Sequence, residues 1–303
     1  MVRQYLGGSI ALYPVCRNEQ ESIRLQNTPR SEVLPPFQYE VDGTGPDKVR
    51  QRQNHMHQIL EDRHGHLYAP DLGSDIVWIF RRDGLSLHIS GWLQCHPGTG
   101  PRHAVLNQDG TRPGSNPQAE RKLTRTHLES IMYVIGELSH TVLAFDLSKS
   151  FAHGLSPIDG FEPNVIPPTV PTRHQTMMDS SEICMHPSIP NVLYVANRWE
   201  RHIRQRTPHL NGDYVHKPEG DAIAIMRLSD DGRKVEDVSH VRTNLDVIRG
   251  MRLSDCGQYA VAVGQLGGGV EVYKIDGARG DKWSLMSSLR EGLEAGIKHA
   301  VWF

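Results

Sequence analysis

Three observations in the 303-residue sequence predict an all-β fold of repeated four-stranded units: hairpin-like apolar runs recur, a short apolar segment precedes each, and turn residues separate them. The hairpin runs are HLYAPDLGSDIVWIF (66–80), IMYVIGELSHTVLAFDL (131–147), VLYVANRWERHI (192–203) and QYAVAVGQLGGGVEVYKI (258–275). Each is rich in Val, Ile, Leu and Tyr and meets a polar turn with Gly, Asn or Asp.

The upstream segments are HQILEDRHG (57–65), RHAVLNQDGTRPG (102–114), SEICMHPSIPN (181–191) and RGMRLSDCGQ (249–258). Outer strands such as LSLHISGWLQ (85–94) and VEDVSHVRT (235–243) complete units of four. Tyr68, Tyr133 and Tyr194 stand at corresponding places, 65 and 61 residues apart. That spacing exceeds the ~40–50 residues of common propeller blades, so loops are inserted. A β-propeller with decorated loops fits this pattern better than a sandwich. About five to six blades are represented, in a single domain spanning 1–303.

The insertions are placed at 114–127, a solvated loop or short helix, and at 202–220, an excursion inside a hairpin. Residues 17–53 read as an outer strand and a long connector, and GGSIALYPV (7–15) as the second half of a hairpin lacking its first half. On this reading the chain begins mid-blade and is short at its N-terminus.

Composition narrows the partners. With 33 Lys plus Arg against 35 Asp plus Glu there is no basic field for nucleic acid, and a small anionic ligand held by local charges is the better expectation. Cys16, Cys95, Cys184 and Cys256 lack zinc-like spacing and read as buried reduced thiols. The N-terminus lacks a secretory pattern and no run reaches the ~18 apolar residues of a membrane span, so a cytoplasmic protein without membrane contact is expected. No P-loop or strand–GxGxxG–helix unit is present, and no organic cofactor is expected. The oligomeric state is left open.

The blocks GTGPRHAVLNQDG (98–110), VIGELSHTV (134–142), LYVANR (193–198) and VIRGMRLSDCGQY (247–259) resemble the lactonase-type seven-bladed propeller family. That family includes 6-phosphogluconolactonase and the fungal 3-carboxy-cis,cis-muconate cyclase. The resemblance extends over nearly all of residues 5–303. It implies a hub where His55 or His57, Arg102 with His103, Glu137, Arg198 and Arg249 gather around a tricarboxylate or a phosphosugar lactone. Arginine forks match carboxylate and phosphate oxygens.

In the cyclase reading, which is preferred here, Arg102, Arg198 and Arg249 neutralise three carboxylates while His57, His55 or Glu137 delivers a proton. Histidine is the better donor, because neighbouring arginines hold Glu137 acidic. In the hydrolase reading the arginines grip phosphate and lactone carboxyl, and Glu137 or a histidine activates water. A binding propeller without catalysis is the third reading.

Plainer roles compete with each of these: an ion pair across repeats for Arg102, a solvated turn for Glu137, one arginine among several on an inserted loop for Arg198. Arg249 is preferred over Arg252. His55 and His57 in NHMHQIL are expected on one face of a strand; with His64 and His66 they invite a metal reading, which lacks a third ligand at supportive spacing. Trp78, Trp92, Trp199 and Trp302 read as packing anchors.

Overall fold

The computed structural model describes residues 2–17, 23–25, 28–107, 131–189, 191–206, 217–293 and 296–302. Contacts divide it into two compact units, Met1–Ala104 with Lys149–Pro157 and Val105–Ser148 with Ile158–Phe303.

The first unit begins with β1 (Val2–Gln4), β2 (Ser9–Leu12), β3 (Val15–Arg17), β4 (Ile23–Leu25) and β5 (Ser31–Val33). They form the sheets β1-β2-β5 and β3-β4. Val2 pairs with Ala11 and Gln4 with Ser9, so the hairpin expected to lack its first half has one in residues 2–4. A run of only three residues is too short to show period-two alternation. A four-stranded antiparallel sheet follows: β6 (Leu60–Glu61), β7 (His66–Asp71), β8 (Ile76–Asp83) and β9 (Ser86–Gln94), in sequence order. Met56, Leu67, Ala69, Ile76, Trp78 and Phe80 form the core beneath it. Alternation produces that core: Leu67 pairs with Phe80 and Ala69 with Trp78, both pairs on one face.

The division between units falls inside β10 (Pro101–Leu106), which precedes β11 (Ile131–Gly136) and β12 (Val142–Asp146) in a three-stranded sheet. The expected insertion at 114–127 lies outside the described residues.

In the second unit, β13 (Asp179–Met185), β14 (Val192–Arg198), β15 (Ala222–Leu228) and β16 (Val235–Arg242) form one antiparallel sheet. Another contains β17 (Asp246–Leu253), β18 (Tyr259–Gly267), β19 (Val270–Asp276) and β20 (Lys282–Leu289). Among the described residues, helices are confined to single turns, α1 (Thr172–Gln175) and α2 (Ile203–Arg206), the latter following a 3-10 turn at Glu200–His202. The second expected insertion thus opens with ordered helical turns inside the β14–β15 hairpin, and its residues 207–216 lie outside the described set.

Two of the three recurring tyrosines share a task. Tyr133 donates its hydroxyl proton to the Gly232 carbonyl at 2.8 Å, in the β15–β16 turn of the next sheet; Tyr194 does the same to Gly280 at 2.8 Å, in the β19–β20 turn. Each fully buried ring therefore adds apolar area to the core while its polar tip fastens the neighbouring sheet. Tyr68 instead donates to Asp62 Oδ2 at 3.0 Å, within its own sheet.

Trp78 is buried 6.5 Å from Trp92, ring to ring, while Trp302, 40% exposed, rests on Tyr259 with centroids 6.5 Å apart. Cys95 and Cys184 are buried free thiols, whereas Cys256 is exposed in the β17–β18 turn, because a turn between strands faces water. Cys16 lies among residues whose side chains are not described.

Candidate functional site

In the first unit, His55 and His57 flank Met56, whose backbone makes an isolated bridge to Asp71. The stretch is not a strand, yet the alternation holds locally. Met56 is fully buried in the core, while Tyr5 stacks on His55 (centroids 4.6 Å apart) and tilts against His57 (4.5 Å). The backbone is fixed by Asp71, whose Oδ1 accepts from His55 N at 2.6 Å and Gly73 N at 3.1 Å, while Oδ2 accepts from Trp78 Nε1 at 3.1 Å. Burial outweighs these donors and pushes Asp71 up to about 6.

Arg102, the second residue of β10, donates from Nη1 to His57 Nδ1 at 3.3 Å. A guanidinium has no acceptor, so His57 presents a lone pair there. His103 stands edge-on to His57 at 6.3 Å. All three are buried. Among the described residues no group of three or more His, Cys, Asp or Glu is arranged to hold a metal ion.

In the second unit, strand ends bring together Glu137, Asp179 and Arg198. Glu137 follows β11, Asp179 opens β13 and Arg198 closes β14, opposite Asp179 in register. Arg198 Nη2 lies 2.9 Å from Glu137 Oε1 and 3.8 Å from Asp179 Oδ2, and it donates to the Ser180 carbonyl at 3.2 Å. Arg198 therefore belongs to a strand, not to the inserted loop. Glu137 is not a solvated turn carboxylate either: it is 2% exposed, because the Glu137 carbonyl accepts from Ser180 N and draws the turn onto β13.

Asp221 supports this arrangement. Its Oδ1 accepts from Glu200 N at 2.9 Å and its Oδ2 from Val247 N at 2.7 Å. Glu200 is two residues past Arg198 and Val247 two before Arg249, so one carboxylate pins both arginine-bearing segments. Burial pushes Asp221 up to about 7, with the Asp246 and Glu200 carboxylates acting the same way. Arg249 is half-buried on β17, a strand held to β13 by Ser181 Oγ donating to the Ile248 carbonyl at 2.7 Å. Arg252 is exposed and pairs with Glu182 at 3.1 Å.

His140, like Asp179 and Asp221, is a residue that sequence reasoning missed, although it stands three places past Glu137 in GELSH. It is 4% exposed and adopts φ 59° where the β11–β12 hairpin closes. Burial pushes it down to about 4; the nearby Gln175 backbone and Glu137 pull it up, and Arg198 pushes it down again. The imidazole is therefore neutral beside the ion pair.

The consequence for stability has a definite sign. An unfolded His140 binds a proton below its ordinary 6.5 and the folded one only below about 4, so its contribution is complete above 6.5 and is lost as pH falls toward 4. The loss amounts to about 3 kcal/mol. Asn tolerates positive φ, so His140→Asn is expected to gain on the parent chain as pH drops from 7 to 4.5, measured by urea unfolding. Parallel pH profiles for the two proteins would overturn the assignment.

The family described as Lactonase, 7-bladed beta-propeller, matches residues 1–291. The chain belongs to this lactonase family. Its four-stranded antiparallel sheets are the blades of the family's β-propeller fold. Among curated proteins, the chain is 26% identical over 242 residues to the probable 6-phosphogluconolactonase of Arthroderma benhamiae, covering 79% of this chain and 52% of that one. It is 22% identical over 240 residues to the 6-phosphogluconolactonase of Formosa agariphila, covering 77% and 54%. The chain thus spans about half the length of the curated relatives it matches. A solved structure from Bacteroides fragilis shares the fold with TM-score 0.66 and 21% identity, over 94% of this chain and 66% of that one. No helix among the described residues of this lactonase-family chain is long and apolar enough to cross a membrane.

Proposed function

We propose that the chain carries out lactone hydrolysis of the 6-phosphogluconolactonase type, on a small phosphorylated sugar lactone and without an organic cofactor. The observation that carries this reading is the buried Glu137–Arg198 pair at 2.9 Å. Hydrolysis needs a base to take a proton from water and a positive charge to meet the oxyanion that develops on the lactone carbonyl. A carboxylate facing a guanidinium offers both in one place.

Muconate cyclisation, the reading preferred from sequence, has a different requirement: an acid that protonates carbon. An arginine-paired carboxylate is a poor proton donor. The curated relatives are named as 6-phosphogluconolactonases, which supports the hydrolase as well.

The test is proton release from 6-phosphogluconolactone at constant pH, corrected for spontaneous opening, beside an ultraviolet assay with 3-carboxy-cis,cis-muconate. Catalysed hydrolysis is expected, with Glu137→Gln lowering kcat about 10²–10⁴-fold, the usual range for general acid–base residues. Turnover of muconate alone would replace this reading with the cyclase. Silence on both substrates from folded protein would leave a binding propeller.

A further inference from the structure

The sequence GPRHAV at 100–105 returns at the far end of the chain as GIKHAV at 296–301. Glycine, histidine, alanine and valine are identical, and Arg102 is answered by Lys298. The phase of the repeat is fixed independently. Arg102 precedes Gly110 by eight residues and Arg249 precedes Gly257 by eight, so both arginines occupy one position of the first strand of a repeat. Lys298 continues that series.

The structure puts the second copy where such a strand belongs. β17 leans on β13 through Ser181 and Ile248, and residues 296–302 lean in turn on β17. A Cβ at Gly250 would stand 2.4 Å from the Lys298 carbonyl and 3.1 Å from His299 Cα, so the glycine beside Arg249 is what admits the segment. Trp302 clamps its end, donating from Nε1 to the Arg252 carbonyl at 3.3 Å and packing against Tyr259 with centroids 6.5 Å apart. Lys298 and His299 are exposed.

We propose that Lys298 and His299 form a further anion-binding pair beside Arg249, the repeat-equivalent of Arg102 and His103, which takes the phosphate group of the substrate. A lysine serves as a point charge for phosphate and a histidine supplies a directed N–H donor. The proposal rests on the lactonase reading for the identity of the substrate. The binding of phosphate itself is independent of that reading.

The experiment follows the histidine ring resonances by proton–carbon correlation NMR, with His299 assigned through His299→Gln, during titration with inorganic phosphate and with 6-phosphogluconate. Saturable movement of the His299 signal is expected. Lys298→Ala is expected to weaken both ligands about tenfold, as loss of a charge-assisted contact does. Gly250→Ala should weaken them too by displacing the segment, and Lys282→Ala, which removes an exposed lysine from β20, should leave them unchanged. A His299 signal that stays still at saturation, or unchanged affinity in Lys298→Ala, overturns the site. If His299 responds and the lactone is not hydrolysed, the site stands and the lactonase reading falls; hydrolysis with a silent His299 gives the reverse.

Discussion

Arg198→Ala is expected to cost about 3–5 kcal/mol of stability, because it strands a charge that the fold has already buried. Glu137 is 2% exposed and Asp179 7%, and the Arg198 guanidinium lies 2.9 Å from the first and 3.8 Å from the second. Neutralising one partner as well should return part of the loss: Arg198→Ala combined with Glu137→Gln is expected to be more stable than Arg198→Ala alone. Activity should not return with it, since hydrolysis needs the base and the positive charge together. Urea unfolding of the two single variants and the double variant, beside lactone turnover, separates the roles. If Arg198→Ala unfolds like the parent chain, the ion pair is not the structural centre of this unit. If the double variant regains turnover along with stability, the pair is only scaffolding.

Most of the architecture was legible because a strand's period of two and the tyrosine repeat are local signals. Three of the four hairpin runs became pairs of strands, the run at 192–203 supplied one strand followed by helical turns, and each upstream segment yielded the first strand of its sheet. The β1–β2 hairpin was missed for the opposite reason: Val2–Gln4 is three residues long, too brief for a pattern. At the site, Glu137 and Arg198 could be chosen from their motifs, and the structure brings these two together. Their burial could not be read, because it comes from Ser180 and Asp179 on β13, some 40 residues past Glu137. His140 escaped notice for a similar reason. In sequence it is a histidine in a polar turn; only the packing of the hairpin shows it to be neutral and enclosed. Asp221 carries no sequence signal at all, since an Asp ahead of a strand is ordinary, and its importance lies in which two amides it reaches.

For that reason Asp221 is where the second large effect is expected. Removing the carboxylate in Asp221→Ala leaves the amides of Glu200 and Val247 buried without their acceptor, at a cost of about 2–4 kcal/mol in all. In a unit of this size that corresponds to a fall in Tm of roughly 2–4 °C for each kcal/mol. Asn is not an adequate substitute. Both carboxylate oxygens accept backbone N–H groups, so one end of an amide would turn its own N–H₂ toward a donor. The functional consequence distinguishes this residue from an ordinary buried polar group. Because the two amides belong to the segments that carry Arg198 and Arg249, their release should shift both arginines together. KM for the lactone should then rise in Asp221→Asn even at temperatures where the variant is fully folded, while kcat falls less, since Glu137 is held separately through Ser180. Steady-state kinetics well below the Tm, with calorimetry on the same samples, measures both quantities. A lowered Tm with unchanged KM would confine Asp221 to the fold; an unchanged Tm would mean that the two amides find other acceptors.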